Sequence, residues 1–323
     1  MMHAIQVSRT GGPEVLELAE LPRPEPKTGE VLVRVAAAGV NFIDTYLREG
    51  RYPAPLPFTP GQEAAGTVEA VGQGVTGFAV GDHVAWTGTR GTYAEYACAP
   101  ARDLLKVPDG INLEDAAAVL LQGLTAHYLV HDTYRVQHGD TVLVHAGAGG
   151  VGLLLTQMAK MLGARVITTV STDDKAQLSR EAGADHVILY TRENFVNAVK
   201  GITDGAGLPV VYDSVGKTTF EDSLKCLRPR GLMALYGGSS GAVPPFDLIR
   251  LSTMGSLYVT RPTLKDYVQT REELEWRASD VFEWVAAGKL KVRIGQRYPL
   301  ADAQQVHIDL QARKTTGKVL LIP

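Results

Sequence analysis

Apolar and polar positions fall into two regimes along the chain. Up to about residue 121 they form short runs punctuated by glycine. Val31-Leu32-Val33-Arg34-Val35 is a strand-like run. Gly66-Thr67-Val68-Glu69-Ala70-Val71-Gly72 alternates between apolar and polar residues. Gly81-Asp82-His83-Val84-Ala85-Trp86 restarts a strand after a turn. Closely spaced short strands of this kind predict a small, curved β barrel. The proline-dense stretch Leu21-Pro22-Arg23-Pro24-Glu25-Pro26 reads as an extended connector inside this domain.

From about 122 to 265 strands and helices take turns. Thr141 to His145 reads as a strand. Val151 to Leu162 is apolar on more than one face, as a buried helix should be. Arg165 to Val170 is a second strand. Thr172 or Asp173 caps a helix through Lys175 to Glu181, which stops near Gly183. Further strands are expected at His186 to Leu189, Pro209 to Asp213 and Gly231 to Tyr236. Such alternation implies βαβ units and a parallel sheet with helices on both faces.

The tail, from about 266, carries a helical stretch, Glu272 to Ala287, and the apolar strand Val319-Leu320-Leu321-Ile322. No sheet lies near that strand in sequence, so it is expected to pair with the N-terminal β domain. The expectation is an α/β protein with a discontinuous β-rich domain, residues 1–121 and 266–323, and a doubly wound parallel-sheet domain, residues 122–265.

Composition narrows the function classes. The 323 residues suit about two domains at roughly 150 residues each. A net charge of -3 argues against a dedicated nucleic-acid binder, which needs a basic field. No apolar run reaches the roughly 18 residues of a membrane span. Met1-Met2-His3-Ala4-Ile5-Gln6 has neither the basic segment nor the apolar block of a signal peptide. Two cysteines, Cys98 and Cys226, cannot make a disulfide framework or a four-thiolate zinc site, and suit a cytoplasmic protein. Both are expected to be small buried residues. His127 and His131 form an i, i+4 pair without a third ligand pattern, and are expected at the surface or in subunit packing.

The main chemical signal is Gly147-Ala148-Gly149-Gly150-Val151-Gly152. It fits G-x-G-x-x-G directly after a strand and before a helix. Gly147 can make the tight turn, Gly149 admits a pyrophosphate to the backbone, and Gly152 lets helix pack on strand. The free N–H groups of the helix start then face the anion. An NAD-type site usually carries an acid at the end of the second strand, bonding the ribose 2′-OH. Here that strand ends Thr169-Val170-Ser171, and neutral Ser171 does not repel a 2′-phosphate. Lys175, one turn into the next helix, is within reach of one. This favours NADPH. Asp173 and Asp174 stand nearby as alternative NAD-type acids, although their positions also suit a helix start.

With these features the chain resembles the quinone oxidoreductases of the zeta-crystallin type, in the medium-chain dehydrogenase/reductase superfamily. The resemblance runs through Gly39-Val40-Asn41-Phe42-Ile43-Asp44-Thr45-Tyr46, Pro60-Gly61-Gln62-Glu63-Ala64-Ala65-Gly66, the loop at 145–152, Val211-Tyr212-Asp213-Ser214-Val215-Gly216 and Gly255-Ser256-Leu257-Tyr258-Val259-Thr260-Arg261-Pro262. It implies a GroES-like β domain, a Rossmann domain, an active-site cleft between them, NADPH, quinone-type acceptors and a homodimer. Zinc enzymes of the superfamily place Cys near the position of Asn41 and His within a Gly-His-Glu triplet. This chain has Asn41 and Gly61-Gln62-Glu63, which offer neither thiolate nor imidazole, so no metal is expected.

The resemblance also implies contacts. Asn41 and Tyr46 would lie beside the nicotinamide and its ribose. Thr125, taken as the start of a helix at Gln122-Gly123-Leu124-Thr125-Ala126, would touch the nicotinamide side. Tyr190 would join Lys175 and Ser171 at the 2′-phosphate. Gly238, Ser239 and Ser240 would border the cofactor, Val259 and Arg261 would approach the nicotinamide side, and Arg313 is a further anion contact. Tyr52 is a substrate-side residue and candidate proton donor. The plain alternatives are a turn-holding role for Asn41, wall packing for Tyr46, loop packing for Tyr52 and Ser239-Ser240, and solvated charges for Lys175 and for Arg313 among Lys314 and Lys318. Asp44 is read as orienting Asn41 or its loop.

The function expected is metal-free hydride transfer from NADPH to a quinone. Reduction of an enone or enal double bond is one alternative. A non-catalytic NADPH-binding protein with secondary single-stranded RNA binding is the other. A homodimer is expected through sheet-edge pairing near Gly255 to Val259.

Overall fold

In the computed structural model, which describes residues Met1–Pro323, the chain divides into two units. One comprises Met1–Gln122 with Gln269–Pro323, the other Gly123–Val268.

The first segment lays down β1 (Met2–Gln6), β2 (Glu17–Leu21), β3 (Glu30–Val40), β4 (Glu63–Val71), β5 (His83–Thr87), β6 (Tyr96–Pro100) and β7 (Leu104–Lys106). A short helix, α1 (Phe42–Arg48), follows β3, and α2 (Leu113–Tyr128) closes the segment. Strand β3 is the joint of this unit. It runs 11 residues of mostly valine and alanine, pairs with β4 along one edge, and shares its other edge between β6, at Glu30–Arg34, and β15, at Ala38–Val40. Irregular register against β4 at Leu32/Val33 and Val35/Ala37 bends it, as bulges do.

The middle of the chain builds β8 (Thr141–His145), α3 (Gly150–Met161), β9 (Arg165–Val170), α4 (Asp173–Glu181), β10 (His186–Leu189), α5 (Phe195–Ile202), β11 (Leu208–Asp213), α6 (Phe220–Leu224), β12 (Leu227–Leu235), α7 (Ile249–Thr253) and β13 (Tyr258–Thr260). The six strands form one parallel sheet in the order β10-β9-β8-β11-β12-β13. The reversal of strand order beside β8 is the doubly wound topology predicted from the sequence. Leu143, Ile167, Ile188, Val211 and Met233 from the strands pack against Phe195, Val199 and Phe220 from the helices. Helix α3 buries Leu153, Leu154, Leu155, Met158 and Ala159, which is why its apolar positions fit no single stripe.

The chain then returns to the first unit through α8 (Arg271–Ala286), β14 (Ile294–Pro299), α9 (Ala303–Gln311) and β15 (Lys318–Ile322). Strand β15 pairs antiparallel with β3, so the expected pairing with the N-terminal domain is present. One correction follows: β15 does have a strand close by in sequence, since β14 pairs with it in parallel. Valines 31, 33 and 35 pack with Trp86, Tyr93, Leu300, Val306 and Leu321 in a core drawn from both segments of this unit.

Three smaller readings need correction. Thr125 lies in the last turn of α2, which starts at Leu113, and not at a helix start. His127 is fully buried and not at the surface, its ring 4.3 Å from that of His131. Cys226 is buried, but Cys98 is only half-buried, and both are free thiols. No helix is long and apolar enough to cross a membrane.

Candidate functional site

In the parallel-sheet unit, most of the predicted residues gather at the carboxyl ends of the strands, while Val259 lies within β13 and Thr125 on α2. The glycine loop joins β8 to α3. Ala146 turns the chain with φ 55°, and the Gly149 N–H donates to Ala146 O at 2.9 Å. A Cβ on Gly152 would sit 2.2 Å from Ala146 O and 3.1 Å from the Gly147 Cα, so only glycine lets α3 start this close to the turn. A Cβ on Gly147 would meet the Thr168 Cβ at 2.5 Å. At Gly149 the only neighbour is Ala146 O at 3.2 Å, and the other side is open. Two glycines thus serve the packing of the chain against itself, and the third leaves bare backbone at a helix start. Gly150, Val151 and Gly152 form the first turn of α3, where N–H groups lack helical acceptors. That cradle fits a dinucleotide pyrophosphate.

Ser171 follows β9, and Thr172 caps α4 by accepting from the Lys175 N–H at 3.3 Å. Lys175 is half-buried in the first turn of α4, and Tyr190, 39% exposed, follows β10. The Thr191 hydroxyl donates to Ser171 O at 3.0 Å, tying the two strand ends together. Across the sheet, the loop after β12 is pinned to the end of β11. Ser239 N donates to Ser214 O at 3.1 Å, and the Ser240 hydroxyl donates to Val215 O at 2.7 Å. Gly238 and Ser239 are half-buried beside it. Val259 lies in the middle of β13, and exposed Arg261 just after it.

In the β-rich unit, Asn41 directly follows β3 and caps α1. Its amide is held on every side. The side-chain nitrogen donates to Glu63 Oε2 at 2.8 Å and to Gly39 O at 3.2 Å, and Oδ1 accepts from the Lys318 ammonium at 2.8 Å. Lys318 also pairs with Glu63 Oε2, and Glu63 Oε1 accepts from the Leu121 N–H at 2.6 Å. The Asn41 N–H donates to Asp44 Oδ2 at 2.9 Å, so Asp44 does orient the Asn41 turn. Tyr46, 8% exposed, meets Tyr52 edge-on with ring centroids 6.0 Å apart and lies beneath the Arg51 guanidinium at 5.1 Å, while Tyr52 itself is 42% exposed. Arg313 is exposed, with φ 59°, at the end of α9.

A second layer supports Asp44. The Tyr93 hydroxyl donates to Asp44 Oδ2 at 3.0 Å and lies 3.3 Å from His307 Nε2, while Arg48 Nη1 lies 3.1 Å from His307 Nδ1. Arginine only donates, so His307 Nδ1 accepts and its proton is on Nε2, facing Tyr93. Burial raises the Asp44 carboxyl to about 7, against the opposing hydrogen bonds from Asn41 and Tyr93. Burial, helped by Arg48, lowers His307 to about 3. It also pushes the Tyr93 phenol well above its ordinary range.

This set does not fit zinc. Asn41 and Gln62 are amides rather than thiolate or imidazole, and the Glu63 carboxylate beside Asn41 already holds an ammonium. Elsewhere no three His, Cys, Asp or Glu side chains converge.

Glu63 and Lys318 were not singled out from the sequence, nor were Tyr93 and His307. The available signal was a lysine at the head of an apolar strand, Lys318-Val319-Leu320-Leu321-Ile322. Lysine is almost never fully buried unless paired.

Residues 27–109 match the alcohol dehydrogenase GroES-like domain family, and residues 150–279 the zinc-binding dehydrogenase family. A quinone oxidoreductase of Pseudomonas aeruginosa is 50% identical, with all of both chains covered. A 2-haloacrylate reductase of a Burkholderia species is 42% identical over 100% of this chain and 99% of its own. Among solved structures, a mycobacterial protein complexed with NADPH superposes with TM-score 0.97 at 53% identity, covering 100% of each chain. Full-length identity of this order, on a shared pair of domains, places the chain in the quinone oxidoreductase family of the medium-chain dehydrogenase/reductase superfamily.

Proposed function

We propose that the chain is an NADPH-dependent quinone reductase. The observation that carries the reading is the glycine loop between β8 and α3, bare at Gly149 and followed by a neutral Ser171 at the end of β9. The likeness to a mycobacterial protein complexed with NADPH supports the cofactor. When bound, NADPH supplies a hydride from its nicotinamide. The chain's own residues bind and orient. Gly147, Ala148, Gly149, Gly150, Val151 and Gly152 hold the pyrophosphate. Ser171, Lys175 and Tyr190 take the 2′-phosphate. Gly238, Ser239, Ser240, Val259, Arg261 and Thr125 border the remainder, and Arg313 is a further anion contact. Asn41, Tyr46 and Tyr52 are assigned to the reacting end. Asn41 is a rigid polar wall there because Lys318, Glu63 and Gly39 fix its amide. Tyr52 is a partly exposed residue whose phenol is of a type suited to passing a proton.

Steady-state oxidation of NADPH against a panel of simple quinones, with NADH alongside, tests the reading. Turnover with NADPH is expected; none across the panel would overturn it. The 2-haloacrylate reductase relative supports a second reading, reduction of an electron-poor carbon–carbon double bond. Product analysis with an enone separates the two.

We further propose a cytoplasmic homodimer. Both cysteines are free, which suits a reducing compartment. Strand β13 is an edge of its sheet, with Tyr258 62% exposed, and an open edge favours pairing. Sedimentation at one chain's mass would contradict the dimer.

A further inference from the structure

We infer that Arg192 is a specificity-determining residue of the nucleotide site, resting on the NADPH reading above. It supplies a second cation for the 2′-phosphate and takes Asp173 out of use as a ribose acceptor. Asp173 is the first residue of α4, two positions beyond Ser171. An unpaired carboxylate there would accept the ribose 2′-OH of NADH and repel a 2′-phosphate. It is not unpaired. Arg192 Nη1 donates to Asp173 Oδ1 at 2.9 Å and Nη2 to Oδ2 at 2.5 Å, a forked pair that consumes both oxygens.

The pair is positioned by the strand ends. Arg192 follows Tyr190 and Thr191 directly, and the Thr191 hydroxyl holds Ser171 O at 3.0 Å. The Arg192 N–H donates to Leu189 O at 2.8 Å, fixing the turn after β10. The guanidinium is therefore delivered to the side of the sheet where Ser171, Lys175 and Tyr190 already stand. A guanidinium has five N–H donors, and Asp173 takes two. The remainder can face an anion without releasing the carboxylate. Both side chains are largely exposed, at 62% and 68%, so the pair itself adds little to folding. Its effect is on which anion the site accepts.

The test is titration of NADPH and of NADH into the full-length protein, the Arg192→Ala, Arg192→Lys and Asp173→Asn variants. Arg192→Ala should lower the NADPH-to-NADH affinity ratio by about tenfold or more, the worth of one charged hydrogen bond. Arg192→Lys, which keeps charge without the fork, should fall between. Asp173→Asn should keep or raise the ratio, because the Asp173 carboxylate is no longer there to serve NADH. Raising ionic strength should erode the NADPH preference of the parent more than that of Arg192→Ala. An unchanged ratio in Arg192→Ala, or equal losses for both nucleotides, would overturn the inference while a parent that prefers NADPH keeps the reading beneath it. A parent that binds NADH as well as NADPH would remove both.

Discussion

Lys318 and Glu63 stand 255 positions apart and form an ion pair closed to solvent, with side chains 1% and 0% exposed. Such a pair adds little over apolar residues of equal size, but breaking one side strands the other charge. Lys318→Met should therefore lower the unfolding free energy by roughly 3–5 kcal/mol. Lys318→Met with Glu63→Gln should recover most of that loss, since no bare charge remains. Urea unfolding of the single and double variants checks this. A single variant as stable as its parent would show that Glu63 finds another partner.

Asp44 makes stability depend on pH with an unusual sign. Its carboxyl titrates near 7 in the folded protein, against 3.8 ordinarily, because burial disfavours the charge. Between those values the folded state holds a proton that the unfolded chain has released. The stability from Asp44 is therefore present at acid pH and is lost as pH rises toward 7. Asp44→Asn should remove this fall, so parent and variant unfolding energies should draw apart between pH 4 and 7. Parallel curves would mean that Asp44 stays charged.

His307 has the opposite sign. Lowered to about 3 by burial and by Arg48, it is neutral in the folded protein while the unfolded chain protonates near 6.5. Its contribution is lost as pH falls from 6.5 toward 3. Proton NMR should show the His307 ring resonances constant from pH 8 to 5. A His307 shift with a midpoint near 6.5 would contradict the hydrogen-bond order Arg48 to His307 to Tyr93.

The glycine loop separates folding from binding. Gly152→Ala places a methyl 2.2 Å from Ala146 O and should lower both melting temperature and NADPH affinity. Gly149→Ala meets only Ala146 O, at 3.2 Å. It should melt within a few degrees of the parent while losing about tenfold or more in NADPH affinity, because the methyl occupies the phosphate approach. Thermal melting with nucleotide titration of both variants checks the contrast.

The two units differ in how much the sequence revealed. Strands β8 to β11 fell within a residue of expectation because parallel strands buried on both faces read as continuous apolar runs, broken by helix caps such as Thr172. The β-rich unit was harder. Strand β14, Ile294-Gly295-Gln296-Arg297-Tyr298-Pro299, is only partly buried and shows no alternation. The start of α2 at Leu113 was missed, which put Thr125 at the wrong end of its helix. Among the candidate residues, Asn41 stood out by its motif, but Lys318 and Glu63, which hold its amide, are linked only by tertiary pairing. Asp173 reads in sequence as an NAD-type acid or a helix-start acid, and nothing local points to Arg192, its partner 19 positions on.

The placement of β15 between β14 and β3 sets an order for biosynthesis. A ribosome that has released β3 through β7 has yet to make the strand that covers the Ala38–Val40 edge, or the ammonium that meets Asn41 277 positions earlier. The parallel-sheet unit, contiguous in sequence, can mature first while an edge of the other unit is still unfinished. Nascent chains of this protein therefore carry their sticking hazard in the N-terminal unit, and a premature stop before Lys318 leaves a polypeptide able to grip a nucleotide but with no settled place for Asn41.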